Sequence, residues 1–340
     1  MATTIKDIAQ RVGKSVTTVS RALNDYNDIS PQTKEQVRQA ADEMGYRPSV
    51  LAQRLQKQRT DTIGFVLPTF GPRFSDPFFS EFLAGIGNRA TQLGFDLLVS
   101  TRTPGEEELS AYRNYVQERR VDGFIIVRTR KQDDRIDYLK SANYPFVAFG
   151  RVEENYDYPF VDEDGEFGMG LVVEYLIRLG HRKFGVIAPP TNLMFSSYRL
   201  KGIRMKIEEA GLTLDENLVV TSDLTQRGGY IQAQILLGVP DPPTAIVACN
   251  DLMAFGAMSA AQEKGMIVGK DVSITGFDDI PMAEHSHPPL TTLHQPIYKI
   301  GGMLSEMVVK LVLNEDLKKR QVILHPSLII RQSCGPPPQN

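Results

Sequence analysis

The chain contains no tryptophan, and its two cysteines, Cys249 and Cys334, lie far apart with no CxxC pair. That excludes a disulfide framework and a cysteine-rich zinc module, and two separated thiols fit a reducing compartment. No apolar run approaches the ~20 residues that a bilayer crossing requires. The opening MATTIKDIAQ lacks the charged-then-apolar pattern of a secretory signal. A cytoplasmic protein with no membrane partner is therefore expected. His285, His287 and His294 sit in a Pro-rich stretch without a cysteine or an acidic triad to complete a metal site, so no metal is expected. No G-x-S-x-G elbow, Walker loop or G-x-G-x-x-G after a strand is present, so neither an enzyme nor a bound cofactor is expected.

What is present is a chain of 340 residues, 41% hydrophobic and 23% charged, ordinary for globular protein and too long for one core. Its charge is unevenly spread. Residues 1 to 60 hold 10 lysines and arginines against 6 acids, whereas the remainder holds 28 against 35. A basic head on an acidic body attracts phosphates at one end only.

In that head the apolar spacing is helical. Thr4 followed by Asp7 forms a capping-box-like start, Ile5, Ile8, Ala9 and Val12 share one face, and Gly13 stops the helix. Ser15 can cap a second helix carrying Val16, Val19, Ala22 and Leu23, joined too tightly to the first for an antiparallel hairpin. Ser30 and Pro31 open a third, which would bury Val37, Ala40, Ala41 and Met44 and stop at Gly45. This is helix-turn-helix spacing, and it puts the start of the second helix in the major groove of DNA. Val16 and Thr17 can offer methyls to thymine and a hydroxyl to a base or phosphate, and Arg21 can take a guanine or phosphate. Equally, small residues after Ser15 can simply favour a cap.

The run TIKDIAQRVGKSVTTVSRALN, followed by ISPQTKEQVRQAADEMGYRPS, resembles the head of the lac-repressor (LacI/GalR) family almost residue for residue, TVSRALN and GYRP being its most diagnostic pieces. Lys14 departs from the small apolar residue usual in the family's turn and offers a phosphate contact. The resemblance implies a DNA-facing set of Thr4, Lys14, Ser15, Val16, Thr17, Thr18, Ser20, Arg21, Asn24 and Arg47. It also implies that residues 48–60, too short to be stable as a lone helix, fold as a hinge helix against a dimer mate on the operator. Leu55, with Ala52 one turn earlier, matches the family's leucine that wedges into the minor groove. A flexible linker with Leu55 packed on the body is the alternative.

Beyond residue 60, strand-like stretches alternate with apolar helices: 62–68, 95–100, 123–127, 145–149, 183–188, 244–248 and 272–277, with Gly94, Gly180, Gly211 and Gly265 as helix stops. A repeated βα pattern of this length predicts two doubly wound parallel-sheet lobes joined by several crossings, as in periplasmic sugar-binding proteins. The fold class expected is an all-α helix-turn-helix head, residues 1–47, and an α/β periplasmic-binding-protein-like body, residues 61–340. One lobe is expected at about 61–160 and 291–323, the other at about 161–290 and 324–340.

Ligands of such sheets lie outside the carboxyl ends of the strands. That places Asp76 to Phe79, Thr101, Arg102, Arg128, Gly150, Arg151, Ser196 to Arg199, Asp223, Asn250 and Asp278 near a cleft, with Phe78, Phe79 and Phe82 able to stack on a sugar face. An Asp or Asn at a strand end can instead cap the next helix, the arginines can be solvated, and Phe82 can be partly core. The resemblance extends over essentially the whole chain. RLKG at Arg199 is similar to the family's R-x-x-G ligand arginine, ACNDLMAFGAM to its segment at Asn250, and ITGFDD with PPLTTLHQP to its ligand aspartate and hinge. LGHRKFG around His181 reads as structural. Leu224 replaces an aromatic that stacks on ligand in some members, and GPRFSD reshapes the mouth before Phe78. The expected ligand set is Asp76, Phe78, Phe79, Phe82, Arg128, Arg151, Arg199, Asn250 and Asp278.

These readings together describe a homodimer on a palindromic operator, released by a mono- or disaccharide. A corepressor-dependent repressor with a purine-like ligand and a sugar-responsive activator remain as alternatives. The ending RQSCGPPPQN has no leucine heptads, so no tetramerising tail is expected.

Overall fold

A computed structural model describes residues 3–47, 59–69, 76–153 and 157–338, which fall in two compact units, Met1–Thr60 and Asp61–Asn340. In the first unit α1 (Ile5–Val12), α2 (Val16–Leu23) and α3 (Pro31–Glu43) enclose Ile8, Ala9, Val19, Ala22, Val37, Ala40 and Ala41. The Asp7 carboxylate accepts the Thr4 backbone N–H and hydroxyl, both at 2.8 Å, which fixes the first turn of α1. Gly13 ends that helix at φ +64°, a left-handed conformation strained for any side chain. The chain thus turns at once, and Ser15 restarts it by accepting the Thr18 N–H at 3.1 Å. Ser30 does the same for α3 through Thr33 at 3.2 Å. Each large aliphatic contributes about 1.5–3 kcal/mol on burial, so this small core leans on Ile8, Val19 and Val37, all fully buried. Met44 is only half-buried at its edge.

Along the second unit the strands are β1 (Thr62–Pro68), β2 (Asp96–Arg102), β3 (Gly123–Ile126), β4 (Phe146–Phe149), β5 (Phe160–Glu163), β6 (Phe184–Ala188), β7 (Val219–Thr221), β8 (Ala245–Ala248), β9 (Ser273–Thr275), β10 (Thr292–His294), β11 (Gln321–Leu324) and β12 (Ser327–Ile329). The helices between them are α4 (Pro77–Gln92), α5 (Glu106–Gln117), α6 (Asp134–Ser141), α7 (Gly165–Arg178), α8 (Met194–Glu209), α9 (Gln226–Leu236), α10 (Asp251–Glu263), α11 (Met282–His285) and α12 (Ile297–Val312). One parallel sheet has the order β11-β5-β4-β3-β1-β2 and the other β7-β6-β8-β9, while β10 and β12 pair antiparallel. Helices cover both faces of each sheet, which is why β1 is buried at all seven positions.

All seven strands read from the sequence form within a few residues of their expected bounds. β7 and β11 escape such reading because they are half-exposed sheet edges, and β5 because only two apolar residues precede its acids. Since β5 belongs to the first sheet, that lobe runs to Glu163. The chain passes between lobes at about residues 164, 295 and 325, and residues at or just past the carboxyl ends of strands from both sheets line one cavity. Among the described residues no helix is long and apolar enough to cross a membrane.

Candidate functional site

On the first unit the start of α2 is exposed. Lys14, Val16 and Thr17 face solvent, Val16 at 41%. The hydroxyls of Ser15 and Thr18 lie 2.8 Å apart within the cap, and the Asn24 amide donates to the Ser20 carbonyl at 2.8 Å. Arg21 pairs with Asp28 at 2.7 Å and lies 4.8 Å from the Tyr26 ring centroid, so its fork is held beside the helix rather than extended. Thr4 and Arg47 are exposed and Ser20 is half-buried. Ala52 and Leu55 lie outside the described residues.

In the second unit, seven of the nine expected ligand residues line one cavity of about 70 Å³: Asp76, Phe78, Phe79, Arg128, Arg199, Asn250 and Asp278. The strand ends explain the convergence. Asp76 caps α4 by accepting the Phe78 N–H at 3.1 Å, Arg128 follows β3, Asn250 follows β8, and Asp278 lies just past β9. Arg199, on the first half of α8, completes the far wall. Its guanidinium lies 3.6 Å from the Phe277 centroid and 4.8 Å from that of Phe195, and donates to Glu163 Oε1 at 2.9 Å and to the Cys249 carbonyl. Phe78 stacks on Phe149 across 6.0 Å, giving the opposite wall an aromatic face.

The charges here are incompletely matched. Arg128, at φ +51°, reaches Asp76 at only 3.4 Å. Burial outweighs that attraction in both partners, pushing the Asp76 carboxyl up and the Arg128 guanidinium down. Asp278 is pushed well above the usual carboxylate range, first by burial, although Arg199 and the Gln295 amide, donating at 2.7 Å, oppose this. Burial also raises Asp162 to about 7 despite its bond from Arg151 Nε at 2.6 Å. Such a site favours a ligand that brings hydrogen bonds rather than more charge.

Two expected ligand residues do not join the cavity. Phe82 is fully buried, 5.6 Å from Phe78 and 5.5 Å from Phe149, and supports their rings from below. Arg151 misses the cavity because the chain leaves β4 at Phe149 and turns at Gly150, φ +114°, so Phe149 and Gly150 line the space and Arg151 points elsewhere. It pairs with Asp162 and lies 3.9 Å from the Tyr198 centroid, in a separate groove between α7 and α8. Thr101 and Arg102 end the edge strand β2 and do not line the cavity. Asp223 is exposed and bonds Thr225 in a turn ahead of α9, and Asn250 is both cavity wall and N-cap of α10. The turn reading therefore holds for Asp223, and for Asn250 it coexists with the cavity.

Residues 4–49 match the family described as bacterial regulatory proteins, lacI family, and residues 173–334 match a periplasmic binding protein-like domain. The chain is 36% identical to the HTH-type transcriptional regulator AglR of Rhizobium meliloti (strain 1021), over 99% of this chain and 96% of that one. It belongs to the lacI family. Its fold is similar to that of the lac repressor dimer bound to operator and the anti-inducer ONPF, with a TM-score of 0.85, 29% identity, and coverage of 98% of this chain and 99% of that one. The transcriptional regulator CelR in complex with cellobiose aligns at a TM-score of 0.75 and 30% identity, over 97% of this chain and 99% of that one.

In this lacI-family regulator the cavity is also lined by residues that sequence reading does not single out, Phe149, Asp162, Glu163, Phe195 and Gln295, and by Leu224, which it does. Glu163 and Asp162 end a strand that was not recognised, and Gln295 was quoted only as part of a hinge motif. The glycine of R-x-x-G also gains a physical reason. A Cβ on Gly202 would stand 2.1 Å from the Glu166 carbonyl oxygen, so only glycine lets α8 approach α7 and set Arg199 in place.

A brace crosses the cleft beside the cavity. The Met194 N–H donates to the Thr129 carbonyl at 2.9 Å and the Lys131 N–H to that of Asn192 at 3.0 Å. The first-lobe loop in this brace is fixed by buried Arg135, which donates to Asp133, Glu108 and the carbonyls of Val127 and Arg128. His181 pins the C-terminal segment, its ring nitrogens 2.9 Å from Thr244, Ser273 and the Gly335 carbonyl, a structural role as its motif suggested.

Proposed function

We propose that this regulator is a sequence-specific repressor that grips a two-fold symmetric operator as a homodimer and lets go when a neutral mono- or disaccharide enters the cleft. The observation that carries the reading is the convergence of Arg199, Asp278, Asn250 and Gln295 with the Phe78–Phe149 wall on one cavity at the strand ends. Planar donors and acceptors around an aromatic face suit ring hydroxyls on one side and a sugar's apolar face on the other.

On the DNA side, the exposed start of α2 supplies Val16 and Thr17 to the major groove, Lys14 in the turn before it supplies a phosphate contact, and Arg21 exchanges Asp28 for a base or phosphate. Residues 48–60 act as the hinge and Leu55 as the wedge. Working on an operator places the protein in the cytoplasm. To move the population from nearly all bound to nearly all released, the ligand must favour the released state by ~10⁴-fold, or ~5.5 kcal/mol.

The test is a gel shift on the operator of the protein's own promoter, repeated with a panel of sugars and nucleobases. Release by a sugar supports the reading. Tightening by a nucleobase replaces it with corepression, and indifference to the whole panel overturns it.

A further inference from the structure

Glu163 ends β5 and is 4% exposed. One of its carboxylate oxygens, Oε1, accepts Arg199 Nη2 at 2.9 Å, while the other, Oε2, is buried with no hydrogen-bond partner among the described residues. The same holds for Nε of its partner Arg199 and for Oε1 of Gln295, both in residues of the cavity wall. A buried polar atom without a partner is costly, and native structures keep few of them. Here three occur on side chains lining a single space.

Two of the three are acceptors and one a donor, so a single group that satisfied them all would bring more than one polar hydrogen and also accept one. Adjacent hydroxyls do this; a phosphate or carboxylate, which only accepts when ionised, does not. Charge argues the same way. Asp76, Asp162, Glu163 and Asp278 line the cavity, against Arg128 and Arg199, and Arg151 reaches Asp162 from outside it. Both cavity arginines are already paired, Arg128 with Asp76 and Arg199 with Glu163, so a further anion would find no free cation there and would have to give up its own hydration.

We propose that Glu163 is a specificity-determining contact of the effector cleft, its Oε2 accepting a hydroxyl hydrogen from a neutral polyol and its charge turning away phosphorylated or carboxylated sugars. This rests on the reading that the cleft binds the effector. The ion pair with Arg199 holds the carboxylate in place, so the same contact that fixes the arginine selects the ligand.

The experiment is isothermal titration of the full chain with glucose, galactose, maltose and cellobiose, and with glucose 6-phosphate and glucuronate as anionic counterparts. Wild type should bind at least one neutral sugar at least ~10-fold more tightly than either anion. Glu163→Gln should weaken the best neutral sugar by ~10–100-fold, the range for a lost hydrogen bond to a charged group, and narrow its lead over the anions. Thermal unfolding of the variant reports whether it is folded, and Glu163→Asp, which keeps the charge, should keep the rejection of glucose 6-phosphate if Glu163→Gln does not fold. Wild type that binds glucose 6-phosphate as tightly as glucose overturns the proposal without any variant. If a neutral sugar binds, is lost in Asp278→Ala and is unaffected in Glu163→Gln, this inference falls while the effector cleft stands. If no neutral sugar binds wild type, both fall.

Discussion

Arg199 lies against Phe277, its guanidinium carbon 3.6 Å from the ring centroid, while one of its edge nitrogens donates to Glu163 at 2.9 Å. The ring fixes the plane of the fork and the carboxylate its rotation, so the arginine enters the cavity already oriented. A lysine has neither a plane to stack nor a second edge. Arg199→Lys is therefore expected to weaken effector binding by ~10–100-fold while thermal unfolding remains cooperative. Titration calorimetry checks this, and an unchanged affinity would show that charge alone suffices.

Gly202→Ala tests how that arginine is placed. The added Cβ would meet the Glu166 carbonyl at 2.1 Å, a clash with backbone that no side-chain rotation relieves. Forcing α7 and α8 apart should cost about 1–3 kcal/mol, the usual range for overpacking, read from urea unfolding. A neutral result would mean that the two helices slide without penalty.

Acidity should have a definite sign. Burial raises Asp251 to about 7 even though Thr292 Oγ1 and the Ile280 N–H donate to it. A carboxyl whose folded value exceeds its unfolded one, about 3.9, contributes stability that is complete below about pH 4 and lost as pH rises through about 7. Asp162 and Asp278 act in the same direction. His181, lowered by burial, opposes them, since its contribution is present above its unfolded value of about 6.5 and fades as pH falls below it. Between about pH 6.5 and 8 the thermal midpoint should therefore fall, and Asp251→Asn should remove somewhat under about 1 kcal/mol of the stability lost across that window. Parallel slopes for the two proteins would refute the assignment.

Operator binding should depend steeply on salt. If a dimer makes ~6–10 phosphate contacts, affinity drops ~10³–10⁵-fold between about 50 and 200 mM salt. Lys14→Ala should make that dependence shallower by about one contact per subunit, measured by fluorescence anisotropy on the operator duplex.

Leu55→Gly separates wedging from simple attraction. Loss of the wedge should weaken specific binding far more than binding to a random duplex. An equal loss on both duplexes would assign Leu55 to the linker's packing instead.

The sequence made some of this cleft legible and concealed the rest for physical reasons. Arg199 and Asp278 sit in distinctive local motifs and reach the cavity as expected. Phe82 shares a helical face with Phe78 and Phe79, yet one turn along α4 that face has dipped under the sheet, and spacing alone does not show depth. Arg151 follows Gly150, whose φ of +114° turns the chain just past β4, a turn that strand spacing does not reveal. Glu163 was hidden because an acidic pair before Asp164, the N-cap of α7, reads as the start of a helix rather than the end of a strand.

The cavity of about 70 Å³ is well below the ~300–1,000 Å³ of ordinary ligand pockets, and the Thr129–Met194 brace spans the cleft beside it. No hexose enters such a space as it stands. Admission must wait for the walls or lobes to part, so the observed association rate should climb with sugar concentration and then reach a plateau set by the opening step. The regulator's response time would then belong to its own gate, and abundance of sugar beyond that plateau would not hasten it.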